Sequence, residues 1–222
     1  MEFIKRNRSL LAFAICLFAF RWSFADQYHV PTGSMEPTIH VGDRIVVNKA
    51  AYQLRLPFTT VSIATFSEPN RGDVVVFDNP VNGVCMVKRI VGLPGDTVAI
   101  KNGFVAINGA PLPGTFEGME RLAESQEESE IYYRERIGDT EVEIKRLPHR
   151  LNGAEFHLTI PAGHYFAMGD NRDNSADSRI WGLIRKQDLK GKAIGIFFNV
   201  KWASTLIPTI DWQRIGISLN DT

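Results

Sequence analysis

The chain is short of the residues on which most alternative readings would rest. It has two cysteines in 222 residues. Cys16 lies inside an apolar run and Cys85 in a strand-like segment, so a disulfide framework is not expected. No HExxH and no paired Cys/His spacing occurs, which leaves zinc without its usual ligand patterns and no metal or cofactor to expect. Charge of one sign is missing as well: 25 Lys plus Arg balance 25 Asp plus Glu, and the formal net charge is zero. A nucleic-acid partner, which calls for a clustered basic excess, is not expected. No internal repeat or low-complexity tract appears, and few stretches keep a 3.6-residue period, so a helical bundle is a poor fit. What is present is 44% hydrophobic residues, enough for a core in one domain or in one domain with a large insertion.

Long hydrophobic runs are scarce too. After Lys5, Arg6 and Arg8 the uninterrupted apolar run is only Leu10 to Phe20, closed by Arg21 and Trp22. As helix it spans about 16 Å, and Ser9 to Phe24 about 24 Å, against a hydrocarbon core of roughly 30 Å. Two readings fit. The basic start, short apolar stretch and Ser23-Phe24-Ala25 triplet resemble a cleavable secretory signal. A retained anchor over residues 9–24 fits equally, with Arg21 snorkelling, Trp22 at the interface and local thinning absorbing the mismatch. Either way the positive residues hold positions 1–8 in the cytoplasm and place everything after Ala25 outside.

Beyond the anchor the chain reads as short strands. DRIVVN at Asp43 to Asn48, DVVVF at Asp73 to Phe77, Met86 to Val91 and Thr97 to Ile100 are β-branched runs between Gly and Pro turns. Asn102-Gly103 and Asn108-Gly109 each predict a tight hairpin. From Gly114 the character changes. Glu117 to Glu130 is acidic and poor in core-forming residues, then Ile131 to Arg146 alternates across a Gly138-Asp139 turn. The expected organisation is a β core from residues 25–113 and 153–222, with 114–152 inserted as a smaller, solvent-facing β-rich cap. The acidic run by itself reads as a solvated face.

Three clusters carry candidate chemistry. In the first, Pro31-Thr32-Gly33-Ser34-Met35-Glu36-Pro37-Thr38, a serine follows a glycine that admits close approach, and prolines on both sides fix the chain direction. Read singly, it is as well explained as a turn serine. In the second, Lys88 sits among Met86, Val87, Ile90 and Val91, with Arg89 on the opposite side of the strand. Pointed inward, its ammonium would be desolvated and its pKa lowered, which makes a lysine a usable base. Pointed outward, it would be an ordinary edge lysine. The third, Gly169 to Arg179, packs three Asp, two Asn, two Ser and two Arg behind an apolar strand. It lacks the distal Glu of a calcium loop, and a charge-assisted hydrogen-bond network fits it better. None of the five histidines, His29, His40, His149, His157 and His164, sits in a recognisable His-plus-acid setting.

In this order and behind an apolar segment, the clusters resemble the bacterial type I signal peptidases, or leader peptidases. TGSMEPT is similar to their serine box, RGDVVVF to the next, KRIVGLPGD to the lysine box and GDNRDNSADSRIWG to the last and most specific. Gly191-Lys192-Ala193 and Arg214-Ile215-Gly216 agree in outline, whereas Asn199 stands where serine is expected. The resemblance implies a mainly β, antiparallel catalytic core with an inserted cap, behind one N-terminal transmembrane helix. It implies Ser34 as nucleophile and Lys88 as general base, with the Ser34 N–H and the Thr32 hydroxyl as oxyanion hole. Ser175 would hydrogen-bond the Lys88 amine, and Asp177 with Arg179 would brace that loop. Gln27 to Pro31 and Cys85 to Val87 would flank an extended signal peptide. Val30, Pro31, Met35, Ile39, Ile45, Val76, Met86 and Val87 would line pockets that admit only small side chains, giving cleavage after Ala-x-Ala. The implied partners are preprotein signal peptides, the lipid bilayer and the secretion translocon, at the periplasmic face of the inner membrane. Phe197, Phe198, Trp202 and Trp212 either dip into lipid or pack in the core. A relative dedicated to one conjugation or secretion substrate is the alternative; a silent scaffold is disfavoured by the joint presence of Ser34, Lys88 and Ser175. A self-cleaving repressor would carry a DNA-binding domain in place of the anchor.

Overall fold

The computed structural model describes residues 7–11, 13, 24–56, 59, 61–121, 129–147, 155–201 and 209–219. Within them the β-branched runs become strands and the Gly and Pro clusters become turns. β1 (Ala25–His29) pairs antiparallel with β2 (Asp43–Asn48), and the small hairpin of β3 (Gln53–Arg55) and β4 (Ser62–Thr65) follows. β5 (Val74–Asp78) pairs with β6 (Cys85–Gly92). β7 (Thr97–Lys101), β8 (Phe104–Ile107) and β9 (Ala110–Pro111) form successive hairpins. Both turns between them have positive φ, at 50° and 76° for Asn102-Gly103 and 53° and 82° for Asn108-Gly109. That is the conformation Asn-Gly hairpins favour.

β10 (Gly114–Arg121), β11 (Ser129–Ile137) and β12 (Thr140–Arg146) make a three-stranded sheet. The chain returns through β13 (Phe156–Thr159), which pairs with β7, and β14 (His164–Met168), which pairs with β6. A single helical turn, α1 (Ser178–Trp181), leads to β15 (Ile184–Arg185), the long β16 (Leu189–Lys201) and β17 (Thr209–Asp211). The principal sheet runs β1-β2-β16-β5-β6-β14-β15, with β17 attached to β16. The fold is mainly β and its named strand pairs are antiparallel.

β5 is apolar at every position to Phe77 because both of its faces are covered. Val74 and Val76 join Val30, Met35, Ile39, Ile45, Val47, Ala193 and Ile196 in one buried cluster. Val75 and Phe77 join Tyr52, Ile90, Tyr165, Ala167, Ile184 and Leu189 in another. A third cluster brings Ile137, Val142 and Ile144 of the inserted sheet against Val91, Val98, Ile100, Val105, Phe166 and Met168. The inner ends of β11 and β12 are therefore core, while Phe116 and Met119 of β10 stay exposed. Residues 122–128, which carry much of the acidic run, lie outside the described residues.

The anchor expected over 9–24 falls largely outside them too, as do Cys16, Trp202 and His149. Among the described residues no helix is long and apolar enough to cross a membrane. Phe197 and Trp212 are exposed, by 54% and 75%, and so are not core. Phe198 is half-buried, with the Arg44 guanidinium 5.9 Å from its ring centroid.

Gly92 closes β6 where three core elements meet. A Cβ there would lie 2.5 Å from Ile160 Cδ1, 2.9 Å from Val98 Cγ2 and 3.1 Å from Phe166 Cβ. Such crowding has no room to relax between buried neighbours, so Gly92→Ala should destabilise the fold by about 1–3 kcal/mol. Urea unfolding should give a lower midpoint at unchanged slope; an unchanged midpoint contradicts this packing.

Candidate active site

Ser34 occupies the middle of a single 3-10 turn, Gly33–Met35, between Thr32 and Glu36. The turn is held from below by Met35, fully buried in the core. It is held from the side by Asn171, whose Nδ2 donates to Gly33 O at 3.0 Å and whose N–H donates to Ser34 O at 3.2 Å. The serine is thereby fixed on a loop rather than on a strand, with the residue 9% exposed.

Lys88 reaches it from β6. Its Nζ lies 2.6 Å from Ser34 Oγ and donates to Val87 O at 2.9 Å. When the amine is neutral, the serine contact runs the other way, from the hydroxyl to the nitrogen lone pair. Lys88 is 2% exposed, and burial pushes its pKa down to about 8. The nearby carboxylates of Asp177 and Asp170 oppose that shift, and Arg179 reinforces it. The amine is thus available as a base near neutral pH. Thr32 is exposed, and its Oγ1 lies 3.5 Å from Ser34 Oγ.

Ser175 departs from expectation. Its Oγ is buried without a hydrogen-bond partner among the described residues, and the bond to the Lys88 amine is not made. The hydroxyl sits instead against Gly169, where an added Cβ would be 2.3 Å from Ser175 Oγ and 2.3 Å from Ser34 O. The Asp177–Arg179 pair is formed: Arg179 Nε and Nη2 each donate to the fully buried Asp177 at 2.7 Å. Asp177 also accepts from Gly169 N at 3.0 Å, and Arg179 Nη2 donates to Arg172 O at 2.6 Å.

Sequence reasoning missed Arg89. It is fully buried, binds Asp170 through Nε at 2.9 Å and Nη2 at 2.8 Å, and donates to Gly72 O at 2.9 Å. Thr38, just after the serine turn, donates to the same Asp170 at 2.6 Å. A second cation directly after a lysine in an apolar strand was the available signal. Asp173 is bonded by Arg146 at 3.3 Å, and Arg172 binds Glu135 at 2.6 Å. Each of the three loop aspartates is therefore committed to an arginine, a network and not an oxygen cage. Asn199 also finds its place: its Nδ2 donates to Asp43 at 2.7 Å and to Val41 O at 3.0 Å. Arg214 donates to the same carboxylate at 2.6 and 2.9 Å and to Thr38 O at 3.1 Å.

Ser34 and Lys88 open into a cleft of about 230 Å³ between the end of β1 and the start of β6. Val30, Pro31, Ile45, Val76, Met86 and Val87 line it as expected, together with Tyr28, His29, Val84 and Cys85. Met35 and Ile39 do not line it. Both are fully buried beneath the floor, where they pack with Val30 and Ile45. β1 is the edge of the principal sheet, and β14 pairs with β6 only from Arg89 to Gly92. The Cys85 to Lys88 stretch thus presents a side that no described strand occupies. Cys85 is a free thiol on that rim, with its pKa raised by burial. His40 donates its backbone N–H to Asp43 Oδ2 at 2.8 Å.

Residues 2–198 match the family model described as signal peptidase, peptidase S26. The signal peptidase I of Pseudomonas aeruginosa is 34% identical over 228 residues, covering 96% of this chain and 78% of the relative. That of Aquifex aeolicus is 33% identical, covering 89% and 85%. A probable signal peptidase I-1 of Synechocystis is 31% identical, covering 97% and 88%. The match reaches from the first strand through the Ser34 turn, Lys88 and the Gly169–Arg179 loop, and this chain belongs to the signal peptidase family and is a signal peptidase I enzyme.

Proposed function

We propose that the chain is a membrane-anchored serine endopeptidase that removes signal peptides after a small-x-small site, with Ser34 as nucleophile and Lys88 as general base. The observation that carries this reading is the 2.6 Å contact between Ser34 Oγ and a buried Lys88 amine whose pKa is lowered to about 8.

Ser34 Oγ attacks the scissile carbonyl while Lys88 Nζ takes its proton. The oxyanion accepts from the Ser34 N–H and the Thr32 hydroxyl. As the C–N bond breaks, Lys88 returns the proton to the leaving amine, which departs as the new N-terminus of the mature protein. Water then attacks the acyl-enzyme, with Lys88 again as base, and releases the signal peptide carboxylate. The substrate backbone lies extended between Tyr28 to Pro31 and Val84 to Val87, bonded by strand addition. Small side chains are selected because the cleft is small, about 230 Å³, and mostly apolar. Residues 9–24 hold the site at the periplasmic membrane surface, where a substrate with its own apolar segment in the bilayer arrives from the translocon. Phe197 and Trp212 supply apolar surface for lipid contact on the same chain.

Cleavage of a preprotein by the purified full-length chain tests the pair. Ser34→Ala and Lys88→Ala should each lower kcat by at least about 10³-fold; substantial activity in either variant sinks the dyad. Lys88 acts as a base only when neutral, so kcat/KM should rise with pH through an acidic limb near 8. A limb near the free-lysine value of about 10.4 would contradict the buried geometry. Removing the Arg179 charge leaves Asp177 free to favour the Lys88 ammonium. Arg179→Met should therefore move the limb to higher pH, and a limb that stays or moves lower disproves that account.

A further inference from the structure

β12 ends against the nucleophile turn and not against solvent. Lys145, its penultimate residue, has its side chain 11% exposed, with Nζ 2.6 Å from Glu130 Oε1 and 3.2 Å from Glu36 Oε2. Glu36 stands two residues after Ser34 and closes the turn by donating its N–H to Gly33 O at 3.1 Å. Its carboxylate lies against Gly33, so that a Cβ there would meet Oε1 at 2.7 Å. The cation therefore holds an acid that is itself packed on the nucleophile's preceding residue.

The backbone of Lys145 is equally engaged. Its N–H donates to Asp170 O at 2.9 Å, and its carbonyl accepts from Arg172 N at 2.9 Å. Between these two lies Asn171, in a parallel bridge with Lys145, whose amides hold Gly33 O and Ser34 O. One residue of the inserted sheet thus reaches the serine turn by two routes, an ion pair through Glu36 and a backbone clamp through Asn171. Burial alone would lower the Lys145 pKa, yet the hydrogen bonds it donates to Glu130 and Glu36 outweigh it and leave it raised. Neither Lys145 nor Glu36 lines the cleft, and the hydrogen bonds of the Lys88 amine go to Ser34 and Val87.

We propose that Lys145 is a positioning residue for Ser34, fixing the Gly33–Met35 turn through Glu36 and so making the inserted sheet a support for the serine turn from outside the cleft. This rests on Ser34 being the nucleophile. A small misplacement of reacting atoms costs about 10–100-fold in rate without weakening substrate binding. In the full-length chain, Lys145→Met and Glu36→Gln should each lower kcat by about 10-fold or more, with KM within about two-fold of wild type. The double variant should be no slower than the slower single, because both remove one link. Lys145→Arg should restore most of kcat. Unchanged kcat in Glu36→Gln, a loss seen in KM alone, or losses that multiply in the double variant would each overturn the proposal. Should Lys145→Met fail to fold, Glu36→Gln and Lys145→Arg carry the same decision, since both nearly preserve shape. Wild type and Ser34→Ala run alongside separate the two ideas: activity surviving in Ser34→Ala refutes the nucleophile, while a dead Ser34→Ala beside an undiminished Glu36→Gln refutes only the positioning role.

Discussion

An amine kept out of water without a carboxylate of its own is the constraint from which the rest of this molecule follows. Lys88 would regain its charge if either nearby acid were free to pair with it. Asp170 is spent on Arg89 and Thr38, and Asp177 on Arg179 and the Gly169 amide. The dense charge of the Gly169–Arg179 loop therefore serves to keep charge away from one position. Breaking any one of these buried pairs leaves an uncompensated ion, a penalty of several kcal/mol in general, and it would also change the chemistry available at Lys88.

The sheet supplies the geometry that the electrostatics need. β5 and β6 run through its middle with apolar cover on both faces, so Lys88 projects from a strand that cannot shift without disturbing two core clusters. The serine comes from a loop, and loops need fastening. Met35 fastens it to the core, Asn171 to the Gly169–Arg179 loop, and Glu36 with Lys145 to the inserted sheet. The cleft beside the pair is left unpaired by strands on both sides, which is the condition for receiving an extended chain.

Much of this was legible in the sequence. The strands at Asp43–Asn48 and Thr97–Lys101 and both Asn-Gly hairpins follow from β-branched runs and turn chemistry, which are local properties. Ser34 and Lys88 were legible only through the company of the other clusters, since a serine in a turn and a lysine in a strand are each ambiguous. What escaped was direction. Met35 and Ile39 look like pocket residues by type, yet the turn rotates them under the floor, and no period in an irregular loop encodes that. Ser175 lies beside the Ser34 turn, but its hydroxyl meets Gly169. Arg89 was invisible as a buried ion because its partner lies 81 positions away.

The fastening of Ser34 has a consequence in time. The residues that hold its turn are drawn from the far side of the chain: Lys145 and Asn171 on one flank, and Arg214, which bonds Thr38 O and Asp43, on the other. Contacts of such long sequence separation form late, once the intervening chain exists and has folded. Ser34 is made early and fastened last, so a nascent copy carries it for most of its synthesis on a turn that nothing yet holds.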